Sequence, residues 1–370
     1  MSSWKTSLTR FSLCGVLLGA CLWSGPLRAA PRGDAPTLSI YFIDVEGGQS
    51  TLIVTPDRHA LLVDAGWAGV GEGYIPGDPR QARDAHRIVA AAQDAGISAI
   101  DALWITHFHV DHVGGVGELA RLMPIRAFID HGAPAAELLA TDFETRNAFT
   151  VYRSLRNGAR HVQARAGDRV PLAWLDATVV SSDARVLPTP LAGGGAANPR
   201  CSGPAVPTQD PLENPRSSGF VLRFGRFRFL DLGDLSGEPL RRLVCPRSLT
   251  GPVDVYLVSH HGGGDAGSPA VFSGFAPRVV ILNNGVRKGG ARETFETLHR
   301  LEPAPDVWQL HRSDRAGERN FAASAIANLD ETTAHWIKVS ARRDGSFEVL
   351  NGRSGAARRY AAVPLPRAEK

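Results

Sequence analysis

The sequence contains 370 residues, enough for one large domain or two smaller ones, and its 43% hydrophobic content supports a packed core. The formal net charge is +4, but the first 30 residues hold three basic residues and no acidic one, which leaves 38 basic against 37 acidic residues. This balance excludes the strong global positive field of a nucleic-acid-binding protein, though not a local basic patch. No pattern indicates an obligate protein partner.

The N-terminal segment 1–30 is typical of an export signal. A positively charged stretch precedes a short apolar run, 11–23, which is too short for a comfortable membrane span. Two cleavage sites compete. The stretch that ends at Cys21 resembles a lipoprotein box, and 27–29 suits an ordinary signal peptidase. We therefore predict an exported protein, either periplasmic or attached to the membrane by a lipid anchor.

Three short strands and a helix are predicted next. Apolar and β-branched residues separated by turn residues indicate the strands. They are 38–45, 50–54 and 59–63. The glycine-rich stretch 66–79 is either a plain connection or a loop that controls substrate access. Apolar residues at helical spacing predict a helix over 80–95, which Gly96 ends.

A run of metal-capable side chains follows the apolar strand predicted over 102–105. The run is Thr106-His107-Phe108-His109-Val110-Asp111-His112-Val113-Gly114-Gly115, and a helix is predicted after it over 116–122. Because alternating residues point the same way at a strand end, His107 and His109 can reach one ion. Asp111 and His112 can face a second ion beside it. Imidazole and carboxylate together suit Zn²⁺, with Mn²⁺ or Fe as alternatives.

A strand predicted over 125–129 ends close to His131. If this strand runs parallel to 102–105, His131 comes close to the metal-capable run and is a candidate substrate contact or extra metal ligand. The elements predicted after it are a helix over 141–157 and strands over 160–164 and 173–182.

Residues 185–218 interrupt this pattern. The stretch is rich in Pro, Gly and Ser and lacks periodicity. A loop this long within a compact domain is usually functional or disordered. We interpret it as a lid or rim insertion rather than a domain boundary, because strands resume after it.

The second half of the domain is again predicted to alternate strands and helices. The predicted strands are 220–224, 227–231, 253–259, 278–282 and 307–310, and the predicted helices are 235–244, 268–275 and 293–301. The loop 283–290 offers Asn284, Arg287 and Lys288 among flexible glycines, a set that suits an anionic substrate group. His311 also follows a strand and can approach the same cleft.

A hairpin predicted over 334–350 ends the domain, and 351–370 is a basic tail expected to be loosely ordered. Cys201 and Cys245 lie within the domain. An oxidising compartment would allow them to pair, but sequence spacing does not supply the geometry of a disulfide. Both pairing states therefore stay open.

The metal-capable run resembles the signature of the metallo-β-lactamase-fold hydrolases. The opening strands through Asp64-Ala65-Gly66 and the segment Ser259-His260-His261-Gly262 look closest to the ComEC-type hydrolase domain. The resemblance covers roughly residues 38–311. It implies an α/β fold, a four-layer αββα sandwich, with the site at one edge between the two sheets. We therefore predict one hydrolase domain over 37–350.

The resemblance also implies roles for residues outside the run. Asp64 would support the run from behind by hydrogen bonding a ligand or the loop backbone. Asp234 stands where this fold supplies a carboxylate shared by two ions, and Asp231 is the alternative. One of His260 and His261 completes the second site. We favour His260 as the ligand and His261 as a donor to the substrate.

One departure from the family pattern concerns the first site. Many members carry a further histidine between the metal-binding run and the shared aspartate, but the histidines in that interval here are His131 and His161, and neither stands in the expected place. The first site, with His107, His109 and Asp234, is thus expected to hold metal weakly. The ligands predicted for the second site are Asp111, His112, Asp234 and His260. Whether one or two ions bind stays open.

We predict a metal-dependent hydrolase that uses a metal-activated water. Asp111 would orient the water and accept its proton, and His261 or Lys288 would stabilise the developing negative charge. The expected substrate is a phosphodiester or a related ester, as the resemblance to this branch implies. Two alternatives stay open: an amide or lactone hydrolase, including a β-lactamase, and an exported metal-binding protein without catalysis.

Overall fold

A computed structural model describes residues 36–69 and 81–363. The predicted export signal with Cys21, most of the glycine-rich stretch 66–79 and the last residues of the basic tail lie outside the described residues. Within the described ranges, no helix has the length and apolar character needed to cross a membrane.

The described residues form seventeen strands and eight α-helices. The strands in the first half are β1 (Leu38–Phe42), β2 (Thr51–Val54), β3 (Ala60–Val63), β4 (Ala102–Trp104), β5 (Ala127–Asp130), β6 (Arg160–Gln163), β7 (Asp176–Ser182) and β8 (Arg185–Val186). Those in the second half are β9 (Gly219–Phe224), β10 (Phe227–Asp231), β11 (Val255–Leu257), β12 (Val279–Leu282), β13 (Asp306–His311), β14 (Ile326–Asn328), β15 (Ile337–Ala341), β16 (Phe347–Asn351) and β17 (Ala357–Tyr360). The helices are α1 (Arg83–Asp94), α2 (Val110–Val113), α3 (Val116–Leu122), α4 (Ala136–Thr141), α5 (Phe143–Asn157), α6 (Gly237–Val244), α7 (Pro269–Phe275) and α8 (Arg292–Arg300).

The strands make two large sheets. One has the order β17-β16-β15-β1-β2-β3-β4-β5-β6, and the other has the order β14-β13-β12-β11-β10-β9-β7-β8. Neighbouring strands are parallel from β3 to β6 and from β10 to β14. Within each parallel set the carboxyl ends of the strands share one sheet edge, so the loops that follow these strands are neighbours.

Three separate apolar clusters define four layers. Alternate residues of a strand point to opposite sheet faces, and in β3 Leu61 and Val63 enter the cluster between the two sheets while Leu62 enters the cluster beneath the helices. The cluster between the sheets joins Trp104 of one sheet to Phe220 and Phe229 of the other. The outer clusters pack α1, α3 and α5 on the first sheet and α6, α7 and α8 on the second. This arrangement confirms the predicted αββα sandwich.

Two predicted elements differ from the structure. The helix predicted over 141–157 begins at residue 143, because the Asp142 side chain accepts a hydrogen bond from the Thr145 N–H and caps the helix there, and a short helix that was not predicted, α4, precedes it. The tail after residue 351 is not loose throughout, since β17 pairs with β16 and the Tyr360 ring stacks on Phe347. The expectation of a loosely ordered tail is therefore wrong for residues 357–360.

The long loop 185–218 is mostly irregular, apart from β8 and a 3-10 turn over Asn214–Arg216. Its middle is attached to the end of α6 by a disulfide between Cys201 and Cys245, whose Cα atoms are 5.6 Å apart. The pairing that the sequence left open is therefore present. After this attachment the loop returns toward the carboxyl ends of the parallel strands.

Candidate metal centre

The candidate centre lies where parallel strands of both sheets end. The loop after β4 carries the metal-capable run, the turn after β10 carries Asp234, and the turn after β11 carries His260 and His261. The turn after β10 needs a glycine, because Gly233 has a φ of +55° and a Cβ there would lie 2.6 Å from Thr106. Close packing of this turn on the loop after β4 brings Asp234 to the histidines.

Four buried side chains form the ligand group of the predicted second site: Asp111, His112, Asp234 and His261, with ligand atoms within 4.8 Å of one another. His261 Nε2 is 3.2 Å from both Asp111 Oδ2 and Asp234 Oδ2. His112 Nε2 lies 3.2 Å from Asp111 Oδ2 and 3.3 Å from Asp234 Oδ2. Two imidazole nitrogens and two carboxylates thus converge on one point.

The ligand group of the predicted first site contains His107, His109 and Asp234. His107 Nε2 is 2.9 Å from His109 Nδ1 and 3.8 Å from Asp234 Oδ2. Asp234 belongs to both groups, as expected for a carboxylate shared by two ions. Asp231 is not in either group. It accepts hydrogen bonds from Gln49 Nε2 and from the Gly233 N–H, and burial raises its pKa to about 7.

Carboxylates hold the histidines from the side away from the centre. Asp64 accepts hydrogen bonds from the Thr106 N–H at 2.8 Å and the Thr106 hydroxyl at 2.7 Å, and lies 2.7 Å from His112 Nδ1. This is the supporting position expected for Asp64. Asp210 lies 2.8 Å from His109 Nε2. Such partners fix the tautomer, so that the other ring nitrogen presents its lone pair to a metal.

The charges of the centre depend on one another. Burial lowers the pKa of His107, and the neighbouring imidazoles lower it further, well below its ordinary value. Burial opposes ionisation of Asp111, but Lys288 and His112 outweigh it and hold the Asp111 pKa well below its usual range. The pKa of Asp234 is also held low against burial, by His261 and His112. Two buried carboxylates are thus kept ionised only by adjacent positive charge, which a divalent cation would also supply.

Unpartnered atoms test whether a metal fits. Among the described residues, His112 Nε2 and Asp234 Oδ1 are buried and make no hydrogen bond. Buried polar atoms are normally paired, and His112 Nε2 lies beside the carboxylates of Asp111 and Asp234. A mixed nitrogen and oxygen donor set without thiolate suits Zn²⁺, Mn²⁺ or Fe. The residues therefore fit a divalent metal, and they do not select among these three.

The structure corrects the assignment of the histidine pair after β11. His261, expected to be a donor to the substrate, belongs to the group with Asp111, His112 and Asp234. His260, expected to be that ligand, is not in this group, although its Nε2 lies 3.9 Å from Asp234 Oδ2.

The candidate substrate contacts also differ from one another in placement. His131 is buried, with its Nε2 2.7 Å from Glu213, so it does not face a cleft. Asn284 is buried and donates to the backbone carbonyls of Gly285 and His311, so it is not available either. Arg287 is exposed and pairs with Glu331. Of this set only Lys288 reaches the centre.

His311 does not approach the centre. Its Nε2 is 2.7 Å from Asp44 and 3.4 Å from Glu46, and Arg87 pairs with both acids. The positive charge that these two acids require is therefore already supplied by the protein.

Sequence reasoning missed three acids that position the centre. Asp210 and Glu213 come from the long loop 185–218, and Glu213 accepts from the Phe108 N–H inside the metal-capable run. Asp265 lies 2.7 Å from His260 Nδ1. Asp265 was detectable as an acid five residues after a candidate ligand. The loop acids carry no local signal, because only the folded chain brings them to the run.

A comparison with models of protein families gives one match. The family model described as the metallo-beta-lactamase superfamily matches residues 43–197. Among curated proteins, none matches the chain.

Several solved structures are similar over much of the chain. CmlA is a diiron beta-hydroxylase from Streptomyces venezuelae, and a variant of it is 15% identical over 76% of this chain and 53% of that chain, with a TM-score of 0.40. The chain therefore spans about half of that protein's length. A diphosphatase of the PhnP family is 11% identical over 81% of this chain and 98% of that chain, with a TM-score of 0.37. MEM-A1, a subclass B3 metallo-beta-lactamase from a soil metagenome library, is 13% identical over 73% and 75% of the two chains, with a TM-score of 0.31.

These likenesses assign neither a branch nor a substrate. The two-sheet architecture and the family-model match together support a metallo-beta-lactamase superfamily fold for this chain.

Proposed function

We propose that this chain is an exported metal-dependent hydrolase that acts on a phosphodiester or a related ester. The observation that carries the proposal is Asp234, which joins two groups of ligand atoms at one edge of the sandwich. A carboxylate shared between two metal-capable groups is the arrangement expected of a two-metal hydrolytic site. The ComEC-type branch is part of the proposal and rests on the sequence resemblance.

Lys288 supports an anionic substrate. Its ammonium contacts the Asp111 carboxylate, lies 3.4 Å from His261 Nε2 and sits 4.9 Å from the centre of the Trp67 ring. The side chain is 37% exposed, whereas His261 is 1% exposed. Lys288 is therefore on the solvent side of the ligand group. A cation there can pair with a charged oxygen of a substrate that enters from solvent.

The chain's own residues can carry out the proton transfers of hydrolysis. When bound, a divalent metal lowers the pKa of a coordinated water and polarises the substrate oxygen. Lys288 and His112 keep Asp111 ionised, so its carboxylate can accept a hydrogen bond that orients the water. Because its low pKa makes it a weak base, its role as proton acceptor depends on the acidity that a bound metal would give the water. Lys288 can then offset the negative charge that develops on the substrate.

Export is the part of the proposal that concerns location. The disulfide between Cys201 and Cys245 supports it, because such bonds persist in oxidising compartments. A periplasmic enzyme and a lipid-anchored one are both consistent with this bond. Mass spectrometry of the mature N-terminus after expression would distinguish a lipidated Cys21 from cleavage after residue 29.

The test of function is turnover by the metal-loaded protein before and after chelation. We expect chelator-sensitive hydrolysis of a bis-nitrophenyl phosphodiester that exceeds hydrolysis of a chromogenic cephalosporin. A β-lactam also carries a carboxylate that Lys288 could pair with, so faster cephalosporin turnover would favour the β-lactamase alternative. Tight metal binding without turnover of either compound would favour a non-catalytic binding protein.

Asp111→Asn tests the proposed role of the carboxylate. The variant should remain folded but lose phosphodiester turnover, because the amide cannot accept the proton. Asp176→Asn is the matched control, since Asp176 makes an exposed ion pair with Arg169. Full activity in Asp111→Asn would remove this role for Asp111.

A further inference from the structure

We propose that His260 is the third histidine of the first metal group, so that both members of the pair His260-His261 bind metal, one on each side of Asp234. The inference rests on the proposed metal dependence, but it does not depend on the substrate. It supplies a ligand that the sequence lacks at the expected place.

The interval between the metal-capable run and Asp234 offers no histidine to the centre. His131 pairs with buried Glu213, and His161 Nε2 lies 3.0 Å from Asp130. Without another ligand the first group has two imidazoles and one shared carboxylate. Such a group is one protein ligand short of a closed tetrahedral site.

His260 is placed to fill this position. Its Nε2 is 3.9 Å from Asp234 Oδ2, the oxygen that lies 3.2 Å from His261 Nε2. The two imidazole centroids are 6.0 Å apart and the ring planes are inclined by 56°. The two rings are therefore neither stacked nor parallel, and both lie beside the same carboxylate oxygen.

Asp265 holds His260 as other carboxylates hold the ligands already described. Its Oδ1 lies 2.7 Å from His260 Nδ1, and its side chain is only 2% exposed. This matches the contact of His112 Nδ1 with Asp64, and Asp210 holds the other ring nitrogen, Nε2, of His109. A carboxylate at Nδ1 keeps the proton there, so the lone pair of Nε2 faces Asp234.

His260 and His261 both have a strained, left-handed backbone conformation, which affects where their side chains point. His260 has φ 51° and ψ 43°, and His261 has φ 54° and ψ 22°. Residues with a Cβ rarely adopt this left-handed region, and two in succession are costly. In an extended strand adjacent side chains point to opposite faces. The left-handed turn instead lets two adjacent imidazoles reach the same aspartate.

Ligation requires a small movement of His260. Ligand atoms on one tetrahedral zinc are about 3.4 Å apart, given zinc–nitrogen bonds of about 2.0–2.1 Å. His260 Nε2 is not among the atoms within 4.8 Å of one another in the group of His107, His109 and Asp234. The imidazole must therefore turn inward, away from Asn214 Nδ2, which lies 3.3 Å from its Nε2.

The test counts ions in single and double variants by elemental analysis after loading with Zn²⁺ and removal of free metal. We expect two ions in the unaltered protein and one in His260→Ala. A His107→Ala/His260→Ala protein should still hold one ion, because both changes remove ligands from the same site. A His260→Ala/His261→Ala protein should hold none. His299→Ala, which changes an exposed histidine far along the chain, is the control and should hold two.

If the alanine variants do not fold, a change at Asp265, which positions His260, still tests the inference. Asp265→Asn should weaken the binding of one ion by about 10- to 100-fold in a chelator competition and leave the other unchanged. Circular dichroism would verify that each variant is folded. An unaltered protein that holds one ion, or a folded His260→Ala protein that holds two, would overturn the inference while leaving the proposed hydrolase standing. An unaltered protein that holds no ion would overturn both.

Discussion

Asp64→Asn is the most informative single change to the centre. The side chain is fully buried and accepts three contacts, from the Thr106 N–H, the Thr106 hydroxyl and His112 Nδ1. Asn tolerates the left-handed φ of 60° at this position as well as Asp does. The change therefore replaces one acceptor by a donor and removes the charge, with little effect on the backbone.

Two magnitudes follow from these contacts. One buried donor left without an acceptor costs about 1–3 kcal/mol, and breaking a buried ion pair with His112 costs about 3–5 kcal/mol in total. The metal-free variant should therefore lose about 3–5 kcal/mol of unfolding free energy. Metal affinity should fall by about 10- to 100-fold, because His112 loses the partner that orients it.

Urea denaturation of the metal-free protein and a chelator competition measure the two effects separately. Asp176→Asn is the control, because an exposed ion pair contributes only about 0–1 kcal/mol. If Asp64→Asn matched this control in both assays, Asp64 would not be supporting the metal-binding run.

Four further changes test other parts of the account. Lys288→Met should raise KM for a phosphodiester without changing the metal content. The control Lys338→Met should change neither quantity. A Lys288→Met protein with the KM of the unaltered protein would exclude Lys288 from substrate binding. Gly233→Ala should destabilise the protein by several kcal/mol. About 1–2 kcal/mol of this comes from the positive φ alone, and the rest comes from the clash with Thr106. A variant as stable as the unaltered protein in urea would contradict the packing described. Because the pKa of Asp231 is raised by burial to about 7, its contribution to stability is full below pH 3.8 and is lost as the pH rises through 7. Asp231→Asn should therefore flatten the fall in unfolding free energy over this interval, and an unchanged slope would refute the assignment. Replacing both Cys201 and Cys245 by Ser should cost about 4 kcal/mol for a loop closed across a sequence separation of 44, and an unchanged urea midpoint would show that the loop is held by other contacts.

The parts of the centre that the sequence revealed are those encoded locally. The spacing of His107 and His109 at a strand end, together with Asp111 and His112, determines which side chains can face the centre. Asp234 also follows a strand, but its shared role was implied by the resemblance to the metallo-β-lactamase-fold hydrolases. The same resemblance implied the four layers, and the strands and helices predicted from their own residues agree with it.

The errors come from contacts between distant parts of the chain. His131 follows a strand parallel to β4, as expected, but Glu213 from the long loop buries it. Asn284 likewise turns inward to backbone carbonyls. A position at a strand end predicts proximity to the centre but does not predict which way the side chain turns.

The histidine pair shows a second limit of local patterns. Sequence spacing cannot separate the roles of His260 and His261, since adjacent residues normally point apart. Here both residues have a left-handed conformation, so the two adjacent side chains do not point apart. The distances in the folded chain show that both imidazoles lie beside Asp234.

The shared role of Asp234 is the central claim, and metal content tests it most directly. The unaltered protein and Asp234→Ala should be loaded with Zn²⁺, freed of unbound metal and analysed for metal per chain. We expect two ions in the unaltered protein and weakened binding of both in the variant, because one carboxylate serves both groups. An unaltered protein without metal, or an Asp234→Ala protein that keeps both ions with unchanged affinity, would contradict the account.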